Sequence, residues 1–141
     1  MSPEDQPIVD AYKAYIDAYI KLASTAPVDA QATALASMTT TDYLSEISSF
    51  LRTKRDAGAV LNVRLGVQLR PFVVAEPRSA TEAYVNDCQL DGSYWANTTG
   101  TPLSGEKAQV RRNGVLFKMA FVGGSWLVAA AGKQGGACIR S

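Results

Sequence analysis

The side chains of this chain that could do chemistry are few and narrow in type. It contains no histidine, so the commonest general base and a common metal ligand are both missing. A serine or cysteine nucleophile would have to find another base. Neither nucleophilic nor metal-dependent catalysis is expected, and no motif implies a cofactor. What remains is a carboxylate that takes a proton from a bound apolar ligand, because burial can lift an aspartate toward a useful pKa. Asp42 and Asp87 are the candidates. Each also has a plain structural reading, Asp42 as part of a helix cap and Asp87 as a carboxylate held by backbone N–H groups.

Cys88 and Cys138 are too few for a thiolate metal site and are not spaced as Cys-x-x-Cys. A disulfide between them is expected, because Cys138 lies in a glycine-rich tail with little core to bury a thiol; two unrelated free thiols are the alternative. The bridge would close a loop of about fifty residues, worth on the order of 4 kcal/mol in the chain-entropy picture. Gly132-Lys133-Gln134-Gly135-Gly136 does not have the order of a phosphate-binding loop, and Asn97-Thr98-Thr99 satisfies a glycosylation sequon.

These residues have to be positioned by elements that the sequence spells out. Ser2 or Asp5 can cap a first helix running to about Ser24, with Pro3 or Pro7 in its first turn. Ile8, Tyr12, Tyr15, Ile16, Tyr19 and Ala23 recur at helical spacing, opposite the charged stripe Asp10, Lys13, Asp17 and Lys21. Ala-rich Asp29 to Met38 suits a short second helix. Thr39 to Asp42 reads as a capping box for a third, with Tyr43, Leu44, Ile47, Phe50 and Leu51 as its apolar stripe and Gly58 as its terminator.

From Leu61 the period changes to two, predicting a strand to Arg70, a bend at Pro71 and a continuation through Phe72 to Ala75. Ala80 to Leu90 is the next strand, Asp91-Gly92-Ser93 a turn, and Asn97 to Glu106 a surface loop. Strand character returns around Ala108, with Asn113-Gly114 read as a bulge or a strand entrance. Val115 to Val122 and Ser125 to Ala131 flank Gly123-Gly124, a strong hairpin signal. Their nearly continuous apolar character predicts central strands covered on both faces. Trp126 is expected in the core, where truncation to alanine would cost roughly 3–5 kcal/mol.

With 141 residues and 47% apolar content, the chain reads as a single domain spanning residues 1–141. A formal charge of +1 offers no field for a polyanion, so no nucleic acid partner is expected. No apolar run is long enough to span a bilayer, and the first residues lack the pattern of a signal peptide, so this segment is not expected to insert into a membrane.

Three helices followed by a curved, mostly antiparallel sheet of four to six strands is an α+β arrangement. This order resembles the nuclear transport factor 2-like superfamily, which includes ketosteroid isomerase, scytalone dehydratase and the polyketide cyclases. Tyr12 to Leu22, Ala83 to Cys88, Asn97 to Pro102, Gly124 to Val128 and Cys138 look like secreted or membrane-anchored actinobacterial domains of that type. The resemblance implies a cone with a pocket between sheet and helices, lined by Tyr12, Tyr15, Tyr19, Phe117 and Trp126. By analogy with ketosteroid isomerase, an enzyme here would pair a phenol such as Tyr15 with Asp42 or Asp87.

The resemblance supports a non-enzymatic domain outside the cytoplasm, anchored by a segment beyond these residues and binding a small apolar ligand or another envelope protein. Self-association through the sheet is a further expected contact. The alternatives are a cyclase- or isomerase-type enzyme on a hydrophobic substrate, and a scaffold domain of a secretion or conjugation assembly.

Overall fold

The computed structural model describes residues 1–133 and Cys138. Helix α1 (Gln6–Ala23) begins after Asp5, with Pro7 in its first turn where an absent N–H costs least. It buries Ile8, Tyr12, Tyr15, Ile16 and Ala23 of the stripe expected from spacing, adds Val9, and leaves Tyr19 half-buried. Helix α2 (Thr41–Asp56) is capped by Thr40, whose hydroxyl accepts from the Tyr43 amide at 3.3 Å. The cap is thus one residue later than the sequence suggests. Thr39 instead donates its hydroxyl to the Leu35 carbonyl at 2.8 Å, so Asp42 lies in the first turn but closes no capping box with it. Gly58 follows the helix with φ of 69°, the left-handed conformation that ends helices.

The expected helix at Asp29–Met38 is not present. Only a 3-10 turn forms at Thr33–Leu35. The Asp29 carboxylate accepts from the amides of Gln31 and Thr33 at 3.0 and 3.3 Å, a local arrangement that competes with helix, and ten residues are too few for Ala propensity to prevail. The described residues therefore form an α+β fold with two α-helices packed on antiparallel sheets.

The main sheet has the order β2-β4-β6-β7, with β3 following β2 along the same edge of β4. Its strands are β2 (Val67–Gln68), β3 (Pro71–Val73), β4 (Glu82–Asp91), β6 (Arg111–Val122) and β7 (Ser125–Lys133). A second, two-stranded sheet pairs β1 (Val60–Asn62) with β5 (Tyr94–Ala96). The single strand expected from Leu61 to Arg70 is thus divided between two sheets. Asn62 accepts from the Arg64 amide at 3.1 Å and Gly66 turns with φ of 87°, so local turn chemistry overrides the alternating pattern.

Gly92, just past the end of β4, packs against the turn between β1 and β2. Its amide donates to the Gly66 carbonyl at 2.9 Å, and a Cβ there would stand 2.6 Å from the Leu65 Cβ and 2.9 Å from the Gly66 carbonyl oxygen. Neither obstacle is a flexible chain end. Gly92→Ala is expected to cost about 1–3 kcal/mol through overpacking; an unchanged urea midpoint would show that the turn yields freely.

Gly123 and Gly124 form the hairpin with φ of 60° and 89° and set Val122 opposite Ser125, as their pairing predicts. Asn113 and Gly114 are regular members of β6, facing Gln89 and Cys88, not a bulge; the irregularity falls in β7, where Ala129 is the extra residue between the Lys118–Ala130 and Met119–Val128 pairs. The region around Ala108 precedes the strand, which starts at Arg111.

The hairpin arms are not covered on both faces. The helices pack on one side only, and β7 is an edge strand whose Val128 is partly paired by the amide of Thr40 and the carbonyl of Met38, at 3.0 and 2.9 Å. Trp126 is accordingly half-buried near the hairpin tip, its ring 5.3 Å from Phe121 and 5.4 Å from the Arg78 guanidinium. It sits at the margin of the core, so truncation there removes less buried surface than the sequence reading assumed.

Candidate functional site

Strand β4 sends Ala83, Val85, Asp87, Gln89 and Asp91 toward the helices, and all five are buried. Opposite them on β6 stand Met119, Phe117, Val115, Asn113 and Arg111 in register. The inner face of the sheet therefore grades from apolar to polar along its length. At the apolar end Tyr12 meets Phe117 edge-on with centroids 5.0 Å apart, and Tyr15 packs against Phe117 and Tyr43.

Asp87, fully buried, sits at the middle of this gradient. The Tyr12 hydroxyl donates to its Oδ2 at 2.5 Å and the Arg70 amide to its Oδ1 at 2.6 Å. Gln89 Nε2 donates both to Asp87 Oδ2 and to the Tyr12 oxygen, each at 3.3 Å. Every partner is a donor, so the group is satisfied as a carboxylate. The backbone part of the sequence reading holds at Arg70; the phenol of Tyr12 was not foreseen as its partner.

A cavity of about 400 Å³ opens at the polar end, where α1, α2, the main sheet and the β1–β5 pair meet. Tyr15 and Tyr19 of α1, Tyr43 and Phe50 of α2, Trp95 of β5 and Phe117 of β6 supply its aromatic walls. Gln89, Asp91, Ser93, Glu106, Arg111 and Asn113 form its polar wall. Solvent reaches in: Val115 and Asn113 are only half-buried although they sit on the inner face of a central strand.

The charged groups of that wall are already engaged. Asp91 Oδ1 accepts from the Ser93 amide and hydroxyl at 2.8 and 2.6 Å, and its Oδ2 meets Asn113 Nδ2 at 3.3 Å and Arg111 at 3.6 Å. Arg111 also donates to the carbonyls of Asp91, Ser93 and Gln109. Glu106 Oε1 accepts from the Trp95 amide at 2.8 Å.

Among the residues expected to line a pocket, Tyr15, Tyr19 and Phe117 do so. Tyr12 lies behind them with Asp87, and Trp126 lines a different groove with Met38 and Phe121. The candidate catalytic set is not assembled: Asp42 is exposed on α2, Asp87 does not line the cavity, and the Tyr15 hydroxyl pairs with that of Tyr43 at 3.2 Å. Ser104 and Lys107 do have a Ser-x-x-Lys spacing, but both are exposed in the loop before β6, not presented on a helix. Asp91 and Gln89 were missed. Yet the period-two pattern from Ala83 and Val85 places them on the same inward face.

Burial pushes the hydroxyls of Tyr12, Tyr15 and Tyr19 well above the ordinary tyrosine range and raises that of Tyr43. The hydrogen bond to Asp87 adds to this at Tyr12, and the neighbouring Tyr43 at Tyr15 and Tyr19. In the unfolded chain these phenols ionise near about pH 10. Their contribution to stability is thus complete below that pH and is lost as the pH rises toward their folded values. Cooperative alkaline unfolding is expected, with most tyrosinate absorbance appearing in the unfolding step; smooth titration of all six tyrosines in a folded protein would contradict it.

With this geometry in view, comparison with known proteins is limited to shape. The intermembrane space region of the chloroplast protein ARC6 superposes with a TM-score of 0.61, at 13% identity, over 88% of this chain and 94% of that one. At that identity the likeness speaks for the fold alone. No protein-family model matches the sequence, and no curated protein matches it. Cys88 and Cys138 are joined as a disulfide, and no helix among the described residues is long and apolar enough to cross a membrane.

Proposed function

We propose that this domain is a non-enzymatic binding module working outside the cytoplasm, with a nuclear transport factor 2-like cone holding a small apolar ligand between α1, α2 and the sheet. The observation that carries this reading is the 400 Å³ cavity, walled mainly by aromatic and aliphatic side chains, in which protein donors occupy both oxygens of Asp91 and one of Glu106. Its size falls in the range of small-molecule sites. The disulfide supports an oxidising compartment, and secretion or membrane anchoring through a segment beyond these residues fits with that. An envelope protein as partner would use other surfaces.

The test is fluorescence titration with N-phenylnaphthylamine, a neutral apolar probe. Saturable binding to one site is expected, and Val115→Trp, which fills the cavity from its wall, should abolish it while leaving the melting temperature close to wild type. Absence of saturable binding, or equal binding by a folded Val115→Trp protein, would overturn the reading and favour the scaffold alternative.

A cyclase- or isomerase-type enzyme is the second reading. It is favoured by Tyr19, which lines the cavity within electrostatic reach of Asp91. Exchange of a bound ketone's α-protons with solvent deuterium, lost in Asp91→Asn, would promote it.

A further inference from the structure

We propose that the cavity selects a ring compound carrying an N–H or O–H donor, an amine or an alcohol on an apolar body, and rejects carboxylates; this rests on the binding reading above. Two amide side chains at the cavity have orientations fixed by chemistry. A carboxylate oxygen can only accept from an amide, so the NH₂ end of Gln89 must face Asp87 Oδ2, and the NH₂ end of Asn113 must face Asp91 Oδ2. Gln89 and Asn113 are direct neighbours across β4 and β6. Both line the cavity, and among the described residues neither side-chain carbonyl oxygen has a hydrogen-bond partner. Neither of these oxygens is sealed off without a partner, a condition found among the described residues only at Asn86. The two oxygens are thus paired acceptors, free for a ligand.

Glu106 adds a third acceptor. Only its Oε1 is used, by the Trp95 amide, and its charge faces the same space. Against these, among the described residues the one cation lining the cavity is Arg111, whose guanidinium is engaged by Asp91 and three backbone carbonyls. At this polar wall an incoming carboxylate would meet two carboxylates and two carbonyl oxygens, and the wall's own cation is already paired with Asp91. An amine or alcohol finds acceptors at once. Lys54 Nζ is held over the Phe50 and Trp95 rings, 5.2 and 5.1 Å from their centroids, and is not among the residues that line the cavity.

The test is a matched series on one apolar body, naphthylmethylamine, naphthylmethanol and naphthoate, measured by calorimetry on the wild-type protein and on Glu106→Gln. That substitution keeps an oxygen for the Trp95 amide while removing the charge. Amine and alcohol are expected to bind and naphthoate to bind at least about tenfold more weakly; Glu106→Gln, which removes the charge and turns an NH₂ toward the ligand, should weaken the amine about threefold to tenfold, weaken the alcohol less and not weaken naphthoate. Naphthoate binding as tightly as the amine, or a loss shared equally by all three in the variant, would overturn the selectivity while leaving the binding reading in place. If none of the three binds and N-phenylnaphthylamine also fails, both readings fall.

Discussion

Replacing Asp87 by alanine is expected to destabilise the protein by about 3–5 kcal/mol, because it removes the acceptor shared by a buried phenol, a part-buried backbone amide and a buried side-chain amide. The Tyr12 hydroxyl and the Arg70 amide end on this one carboxylate, and Gln89 Nε2 divides its donation between it and the Tyr12 oxygen. Each belongs to a different element: α1, the bend between β2 and β3, and β4. Their loss therefore loosens the helix from the sheet and the β2–β3 edge from its neighbour together. Asp87→Asn keeps one oxygen for the Arg70 amide but turns an NH₂ toward donors, so an intermediate loss of about 1–3 kcal/mol is expected. Urea unfolding of both variants checks this. Alanine and asparagine variants within about 0.5 kcal/mol of wild type would mean that the surface-like magnitude applies and the network contributes little.

Removing the disulfide is the second large perturbation. Cys88 is half-buried on the face of β4 turned away from the helices, and the bridge to Cys138 spans 50 residues of sequence. Cys88→Ala combined with Cys138→Ala should lower stability by as much as about 4 kcal/mol, if the released loop gains its full freedom in the unfolded chain. The same loss should follow when the wild-type protein is reduced, and reductant should not affect the double variant. Alkylation without reductant that adds two labels to the wild-type mass would show that the bridge is not formed in solution.

How far the sequence leads depends on whether local and tertiary preferences agree. They agree in α1, where an apolar stripe at helical spacing, an early proline and a charged opposite face all specify one outcome. They agree again at Gly123-Gly124, since positive φ at both positions is a demand that glycine meets without strain. They conflict at Asp29–Met38, where Ala propensity was outbid by the hydrogen bonds of the Asp29 side chain, and at Leu61–Arg70, where a regular alternation concealed the turns at Asn62 and Gly66.

The site was legible in part. Tyr15, Tyr19 and Phe117 could be placed at the cavity because their elements were right. Asp87 was singled out, but its partner Tyr12 comes from 75 residues away, a pairing that no local pattern reveals. The polar wall needed a further step: the alternation that buries Ala83 and Val85 also carries Gln89 and Asp91 inward. Polar residues on an inward face read as exceptions until a cavity explains them.

The central claim is that a ligand sits in the space between α1, α2 and the polar end of the sheet, and amide chemical-shift mapping with N-phenylnaphthylamine tests it most directly. The account predicts that the perturbed amides gather at Tyr15, Tyr19, Gln89, Val115 and Phe117, which line that space. Shifts gathered instead around Met38, Phe121 and Trp126, which line the groove at the hairpin tip, or no saturable shifts at all, would contradict it.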